Sequence, residues 1–305
     1  MEVLTRDFFL FLSKNKVLNR AAQNWGKNIA SGKIIGGNDF TSSIKFIKML
    51  NSQGLSVTVD HLGEFVTNKD VARERTEECI QTIKMIAREN LDSQVSLKMT
   101  SLGLDIDHAL VYENMSRILE TAEKHNIMVT IDMEDEQRCQ ATLDIFKDLR
   151  KRFQNVSTVI QAYLYRTEKD IEDLNQYSPF LRLVKGAYKE SPEVAFPEKK
   201  DVDENYKKII KMHLLNGHYT AIASHDDAMI EYTKQFALDH NIPKDQFEFQ
   251  MLYGMRSQTQ LDLVKQGYKM RVYVPYGQDW YGYFMRRLAE RPSNIAFAFK
   301  GMTKK

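Results

Sequence analysis

The sequence predicts an α/β protein, a (β/α)8 barrel, on three observations. Beyond residue 54 come eight short apolar runs rich in β-branched residues, each about the length of a buried strand. Longer amphipathic segments alternate with them without a long break, which argues for a barrel and against a doubly wound sheet. The 305 residues also accommodate one barrel of ~250 residues and an N-terminal extension.

In order, the predicted strands are Leu55–Asp60, Val95–Met99, Ile127–Met133, Thr158–Leu164, Phe180–Lys185, Thr220–His225, Phe247–Leu252 and Tyr268–Val274. The predicted helices between and after them are Ala72–Glu89, Asp107–Lys124, Asp135–Arg150, Glu168–Asn175, Val202–Leu215, Asp226–His240, Arg256–Gln266 and Trp280–Glu290. Stop signals such as Asn216-Gly217 and Asn241-Ile242-Pro243 support several ends. Residues 1–54 read as a helical extension, with helices near 5–19 and 40–51 joined by the Gly-rich stretch Ser31–Gly37, packed on the outside or bottom of a 55–305 barrel.

Composition excludes several classes. The formal charge is +2, from 43 basic and 41 acidic residues, and no basic cluster interleaves with aromatics, so no nucleic-acid partner is expected. Cys79 and Cys139 are far apart and outside any C-x-x-C, which argues against disulfides and structural zinc and for a reducing compartment. No signal peptide is expected at the N-terminus, and no apolar run approaches the ~18 residues of a membrane span. The chain is expected to be cytoplasmic.

In a barrel of this kind the chemistry sits where the strands end. The predicted strands, or the residues just past them, carry Asp60, His61 and Glu64; Lys98; Asp132 and Glu134; Gln161; Arg182 and Lys185; Ser224, His225 and Asp226; Glu248 and Gln250; and Arg271 and Tyr273. Charged groups inside a barrel are costly unless paired or bound, so these need one another and a ligand. A further locus lies in the last helix, where Tyr283, Arg287 and Glu290 share a face and Arg286 stands beside Arg287. Two adjacent guanidiniums suit a carboxylate, and the tyrosine supplies a flat wall. A small zwitterion such as an amino acid fits this device; a solvated Arg–Glu pair is the simpler account of the helix alone.

The residues leave three chemistries open. Lys98 or Lys185 would serve a Schiff-base lyase of the aldolase type. Asp60, His61, Asp132 and His225 would have to converge for a metal site, for which no His-x-His or His-Glu-x-x-His is present. Arg182, Lys185, Gln161, His225 and Gln250 would suit a flavin, with the Gly186-Ala187 turn allowing close approach of a ligand. There is no Gly-x-Gly-x-x-Gly fingerprint, so a flavin would be held by the barrel itself.

Six strings together resemble the proline dehydrogenase family: Ser96-Leu97-Lys98, Ile131-Asp132-Met133-Glu134, Arg182-Leu183-Val184-Lys185-Gly186-Ala187-Tyr188, Ser224-His225-Asp226, the 247–255 string and the 271–277 string. The closing Tyr283-x-x-Arg286-Arg287-x-x-Glu290 resembles that family's substrate helix, and the matches run in order over residues 55–300. The resemblance implies a distorted (β/α)8 TIM-type barrel with its last helix over the barrel mouth. It implies non-covalent FAD, oxidation of L-proline to 1-pyrroline-5-carboxylate as the first step of proline catabolism, and a quinone electron acceptor. A single-function bacterial type is expected, with a peripheral contact at the inner face of a membrane as a further expectation. The apolar stretch Ile295–Phe299 is open to such a contact, with packing on the barrel the favoured reading.

Carried over by position, Lys98, Asp132 and Arg182 would be the catalytic groups. Lys98, Arg286 and Arg287 would bind the substrate carboxylate, with Leu252, Tyr273, Tyr283 and Glu290 completing the slot. The cofactor positions would be Asp132, Met133, Gln161, Arg182, Val184, Lys185, Gly186, Ala187, Tyr188, Ser224, His225, Asp226, Gln250, Leu252 and Arg287, with Arg182 near flavin N5. Glu64 matches a position that can pair with that arginine and gate the pocket. The chain departs from some relatives at Lys189, where they have Trp, and at Pro197, where they have Thr. A Schiff-base lyase and a non-catalytic proline-binding sensor are the alternatives.

Overall fold

The computed structural model describes residues 35–277 together with Trp280, Tyr281 and Met285. The expected helix near 5–19, the residues Tyr283, Arg286, Arg287 and Glu290, and the 295–299 stretch lie outside the described residues.

Eight parallel strands close into a barrel in sequence order: β1 (Ser56–His61), β2 (Ser93–Lys98), β3 (Val129–Asp132), β4 (Val156–Gln161), β5 (Leu181–Val184), β6 (Thr220–Ala223), β7 (Phe247–Leu252) and β8 (Met270–Tyr276). β8 pairs back onto β1, with Thr58 opposite Tyr273 and His61 opposite Tyr276. Helix α1 (Phe40–Ser52) precedes β1. Helices α2 (Lys69–Arg88), α3 (His108–Lys124), α4 (Glu136–Arg150), α5 (Thr167–Leu174), α6 (Lys199–Leu215), α7 (Asp227–Asp239) and α8 (Ser257–Lys265) follow the first seven strands in turn. Their starts are set locally: Asn68, Asp107 and Asp226 accept first-turn backbone N–H groups of α2, α3 and α7. The predicted barrel is borne out.

Two expected boundaries shift for a local reason. β4 ends at Gln161, short of Leu164, because the Thr167 hydroxyl is within 2.7 Å of the carbonyls of both Gln161 and Leu164 and turns the chain into α5. β6 ends at Ala223, after which Asp226 N–H bonds Ser224 Oγ to start α7.

Residues facing the helices are the apolar members of each strand, such as Val57 and Val59 of β1 and Leu181 and Leu183 of β5, all buried. The alternate positions are polar and bond one another. Gln94 donates to Thr58 Oγ1 at 2.9 Å, and the hydroxyls of Thr130 and Ser157 meet at 2.8 Å.

Near the N-terminal ends of the strands, Glu248 is fully buried and accepts from Arg271 Nε at 2.7 Å and Nη2 at 3.1 Å, Gln250 Nε2 at 2.6 Å and Tyr219 OH at 2.9 Å. Arg271 Nη1 donates to the Val57 carbonyl at 2.8 Å. Arg271 holds the Glu248 carboxyl down at about 2 against the upward pull of its burial, with Lys269 and Gln250 assisting. Glu248 and Arg271 were expected among the groups at the strand ends; each is the second residue of its strand, so they plug the opposite end.

Helix α1 lies on the flank of the barrel. Phe40 packs edge-on against Tyr276 of β8 at 5.5 Å, Phe46 against Tyr253 just after β7 at 6.4 Å, and Lys48 pairs with Glu89 just past α2 at 2.8 Å. It thereby fills the outer-ring position between α8 and α2 that the helix after β8 occupies in a regular barrel.

Candidate active site

Four of the expected residues converge at the C-terminal ends of the strands. Asp132, closing β3, is the hub. Its Oδ1 accepts from Arg182 Nη1 of β5 and from Ser96 Oγ of β2, each at 2.6 Å. Its Oδ2 accepts from Tyr273 OH of β8 at 2.7 Å and from Lys98 Nζ of β2 at 3.4 Å. These bonds run between β3 and strands β2, β5 and β8, so the side chains meet inside the barrel. Arg182 also donates to Ser96 Oγ at 3.1 Å and lies over the Tyr273 ring, 5.3 Å from its centre.

A carboxylate missed among the site residues, Asp60 of β1, supplies the second partner of Lys98 at 2.9 Å. The sequence showed Asp60 at a strand end; the bond itself depends on the β1–β2 register, which sets Asp60 beside Ser96 and so within reach of the next inward residue, Lys98.

Burial works on all these charges, and the pairing decides which way each moves. Asp132 is desolvated, yet Lys98 and Arg182, with the bonds from Ser96 and Tyr273, hold it below the usual carboxylate range. Asp60 shifts the other way: burial dominates, Lys98 offsets only part of it, and Asp132 adds like charge. Its Oδ1 is buried with no partner among the described residues. Burial opposes the Lys98 ammonium, but Asp60, Tyr273 and Asp132 outweigh it and raise its pKa well above the ordinary value. Lys98 is therefore a fixed cation. Arg182 is buried too, and its Nε and Nη2 have no acceptor among the described residues.

The remaining expected positions form the rim. Gln161 Nε2 donates to the Glu134 carbonyl at 2.9 Å. Met133 is buried, Val184 half-buried, Tyr188 half-buried and Ala187 exposed. Lys185 bridges Asp203 of α6 and Asp226, the N-cap of α7. His225 Nε2 accepts from Leu252 N–H at 3.0 Å, which leaves the ring proton of the neutral form on Nδ1. Ser224 is buried beside them, while the Gln250 amide nitrogen is used one step lower, on Glu248.

Among the described residues Arg182 pairs with Asp132, and its pairing with Glu64, which the resemblance allows, stays an expectation. Gly186 does allow a close approach, but by the Tyr163 ring: a Cβ there would sit 2.3 Å from it, at a φ of +121°. Glu134 follows β3. Its carboxyl is buried and pushed up to about 7 by that burial, although Thr100 donates two bonds to it. Among the described residues no cluster of His, Cys, Asp and Glu could hold a metal, and no helix is long and apolar enough to cross a membrane.

Fold and site together define a (β/α)8 barrel of the catalytic kind, with paired charges gathered at the strand ends. A family model described as proline dehydrogenase matches residues 43–299. "Proline dehydrogenase 2" of Bacillus subtilis is 77% identical over 303 residues, covering 99% of this chain and 100% of that one. "Proline dehydrogenase" of Deinococcus radiodurans is 38% identical over 309 residues, covering 100% and 99%. Among solved structures, proline utilization A of Bdellovibrio bacteriovorus matches with a TM-score of 0.82 at 24% identity, over 97% of this chain and 37% of that one, a likeness of fold. The chain belongs to the proline dehydrogenase family.

Proposed function

We propose that this chain oxidises L-proline to 1-pyrroline-5-carboxylate with a non-covalently bound FAD and passes the electrons to a quinone at a membrane surface. The observation that carries the reading is Arg182: a buried guanidinium, anchored to Asp132 through Nη1, whose Nε and Nη2 find no acceptor among the described residues. Buried donors of this kind call for a ligand with acceptor atoms, and the edge of a flavin ring fits. Val184, Gly186, Ser224, His225 and the other rim positions would hold the cofactor. When bound, FAD would supply the hydride acceptor, N5, and a place to store the two electrons.

The chain's own residues supply the rest. Lys98, a fixed cation, would bind the proline carboxylate together with Arg286 and Arg287, while Tyr273, Tyr283 and Leu252 wall the slot. Proline must lose its ammonium proton before hydride can leave the adjacent carbon. A site crowded with cations disfavours the ammonium form, so Lys98 favours release of that proton to solvent without itself acting as a base. Asp132 positions Lys98 and Arg182 at once, since each bonds one of its oxygens.

The Schiff-base alternative needs a neutral amine. Lys98 is held charged between two carboxylates, and Lys185 is clamped between Asp203 and Asp226, which speaks against both. The purified protein tests the reading directly. A yellow sample whose flavin absorbance is bleached by L-proline under anaerobic conditions is expected. A colourless sample inactivated by borohydride only with substrate present would replace it with the lyase, and a colourless sample that binds proline without turnover would replace it with a sensor.

A further inference from the structure

The connection from β1 to α2, which carries Glu64, is fastened from beneath by a relay that the proposed chemistry leaves unused. Glu134 lies two residues past β3 and is buried. Both oxygens of its carboxylate serve one residue, Thr100, whose backbone N–H donates to Oε1 at 3.1 Å and whose hydroxyl donates to Oε2 at 2.6 Å. Thr100 is fully buried and turns its other groups to the connection. Its hydroxyl oxygen accepts from Phe65 N–H at 3.0 Å, and its carbonyl accepts from Val66 N–H at 3.1 Å. A hydroxyl has one proton to give. Because Glu134 takes it, a lone pair is left facing the Phe65 amide, so the carboxylate sets the rotor that holds the loop.

The loop needs such a fastening. Phe65 adopts a φ of +57°, in the left-handed region that a bulky L-residue enters only when its surroundings compel it. Arg138 lies over the Phe65 ring at 4.9 Å and is itself tied to Asp105 and Asp135. At its other end the relay reaches the cofactor side, because the Glu134 carbonyl accepts from Gln161. Glu64 stands close enough for its charge to act on Glu134.

We propose that Thr100, oriented by Glu134, is a positioning residue that holds the 62–67 connection, and with it Glu64, at the barrel mouth. The inference rests on proline oxidation as the reaction served. Thr100→Val removes the hydroxyl and keeps the shape; Thr100→Ser keeps the hydroxyl. The test measures amide hydrogen exchange of the full-length protein alongside KM and kcat for proline. In Thr100→Val, exchange at Phe65 is expected to speed up about tenfold while β2 and β3 stay protected. KM is expected to rise several-fold with kcat changed by less than about twofold, as for a site whose competent form is less populated. Thr100→Ser is expected to restore both. Wild-type exchange at Phe65 in Thr100→Val would overturn the proposal, as would faster exchange with unchanged KM. Absence of proline turnover in the unaltered protein would instead overturn the reaction, and the exchange result would still stand.

Discussion

Glu248→Gln tests the barrel's lower plug with a magnitude that can be worked in two ways. The carboxyl's ordinary value of 4.5 falls to about 2 in the folded chain, with Arg271 the chief cause of the lowering. At 1.36 kcal/mol per unit this difference corresponds to about 3 kcal/mol of stability. Independently, removing one partner of a buried ion pair costs roughly 3–5 kcal/mol, and the substitution leaves Arg271 buried without its countercharge. A chain of this length has an unfolding entropy of roughly 0.6 kcal/mol/K, so a melting point about 5 °C lower is expected. Circular dichroism melts at pH 7 read this directly. Because the folded pKa is depressed, the stabilisation is present above pH 4.5 and is lost as pH falls through about 2. The unaltered protein should therefore lose stability across that window more steeply than Glu248→Gln does. Arg271→Met should cost a similar amount, and the double variant less than the sum. A melting point within about 1 °C of the unaltered protein would refute the assignment of that stability to the pair.

Asp132→Ala removes the acceptor shared by Ser96, Arg182, Tyr273 and Lys98, and proline turnover is expected to fall by about 100-fold through misplacement of the two cations. Normal steady-state turnover in that variant would rule out a required role for the carboxylate. Gly186→Ala places a methyl 2.3 Å from the Tyr163 ring at a left-handed φ, so a loss of about 2 kcal/mol or more is expected in urea unfolding, partly recovered by adding Tyr163→Ala. Unchanged unfolding would show that the turn relaxes without cost.

The alternation of short apolar runs and amphipathic segments made the barrel legible, because each run is buried on its helix-facing side whatever lies within. Lys98, Asp132, Arg182 and Tyr273 were legible for a related reason: polar residues inside strands must find one another. Height along the barrel was not legible. Glu248 and Arg271 look in sequence like mouth residues, and only the strand boundaries, fixed by pairing, place them at the other end. The Asp60–Lys98 bond depends on register, and the Glu134–Thr100 bond joins residues 34 apart in sequence, so no local pattern announces either. Lys185 reads as an interior strand residue, yet its partners come from α6 and the start of α7, elements whose approach follows from packing. The flank position of α1 was likewise open, since an amphipathic helix needs an apolar surface and the pattern does not say which.

The last strand supplies a member to both charge clusters, Arg271 below and Tyr273 above. During synthesis, Glu248 and Asp132 are therefore made before the residues that complete their bonding. A nascent chain stopped before β8 has an open sheet and, in Glu248, an acidic group whose Arg271 countercharge is not yet made. Joining β8 to β1 brings together segments more than 200 residues apart, the slowest sort of contact for a folding chain to find. Barrel closure is thus also the step that completes the mouth, because only β8 brings Tyr273 onto Asp132.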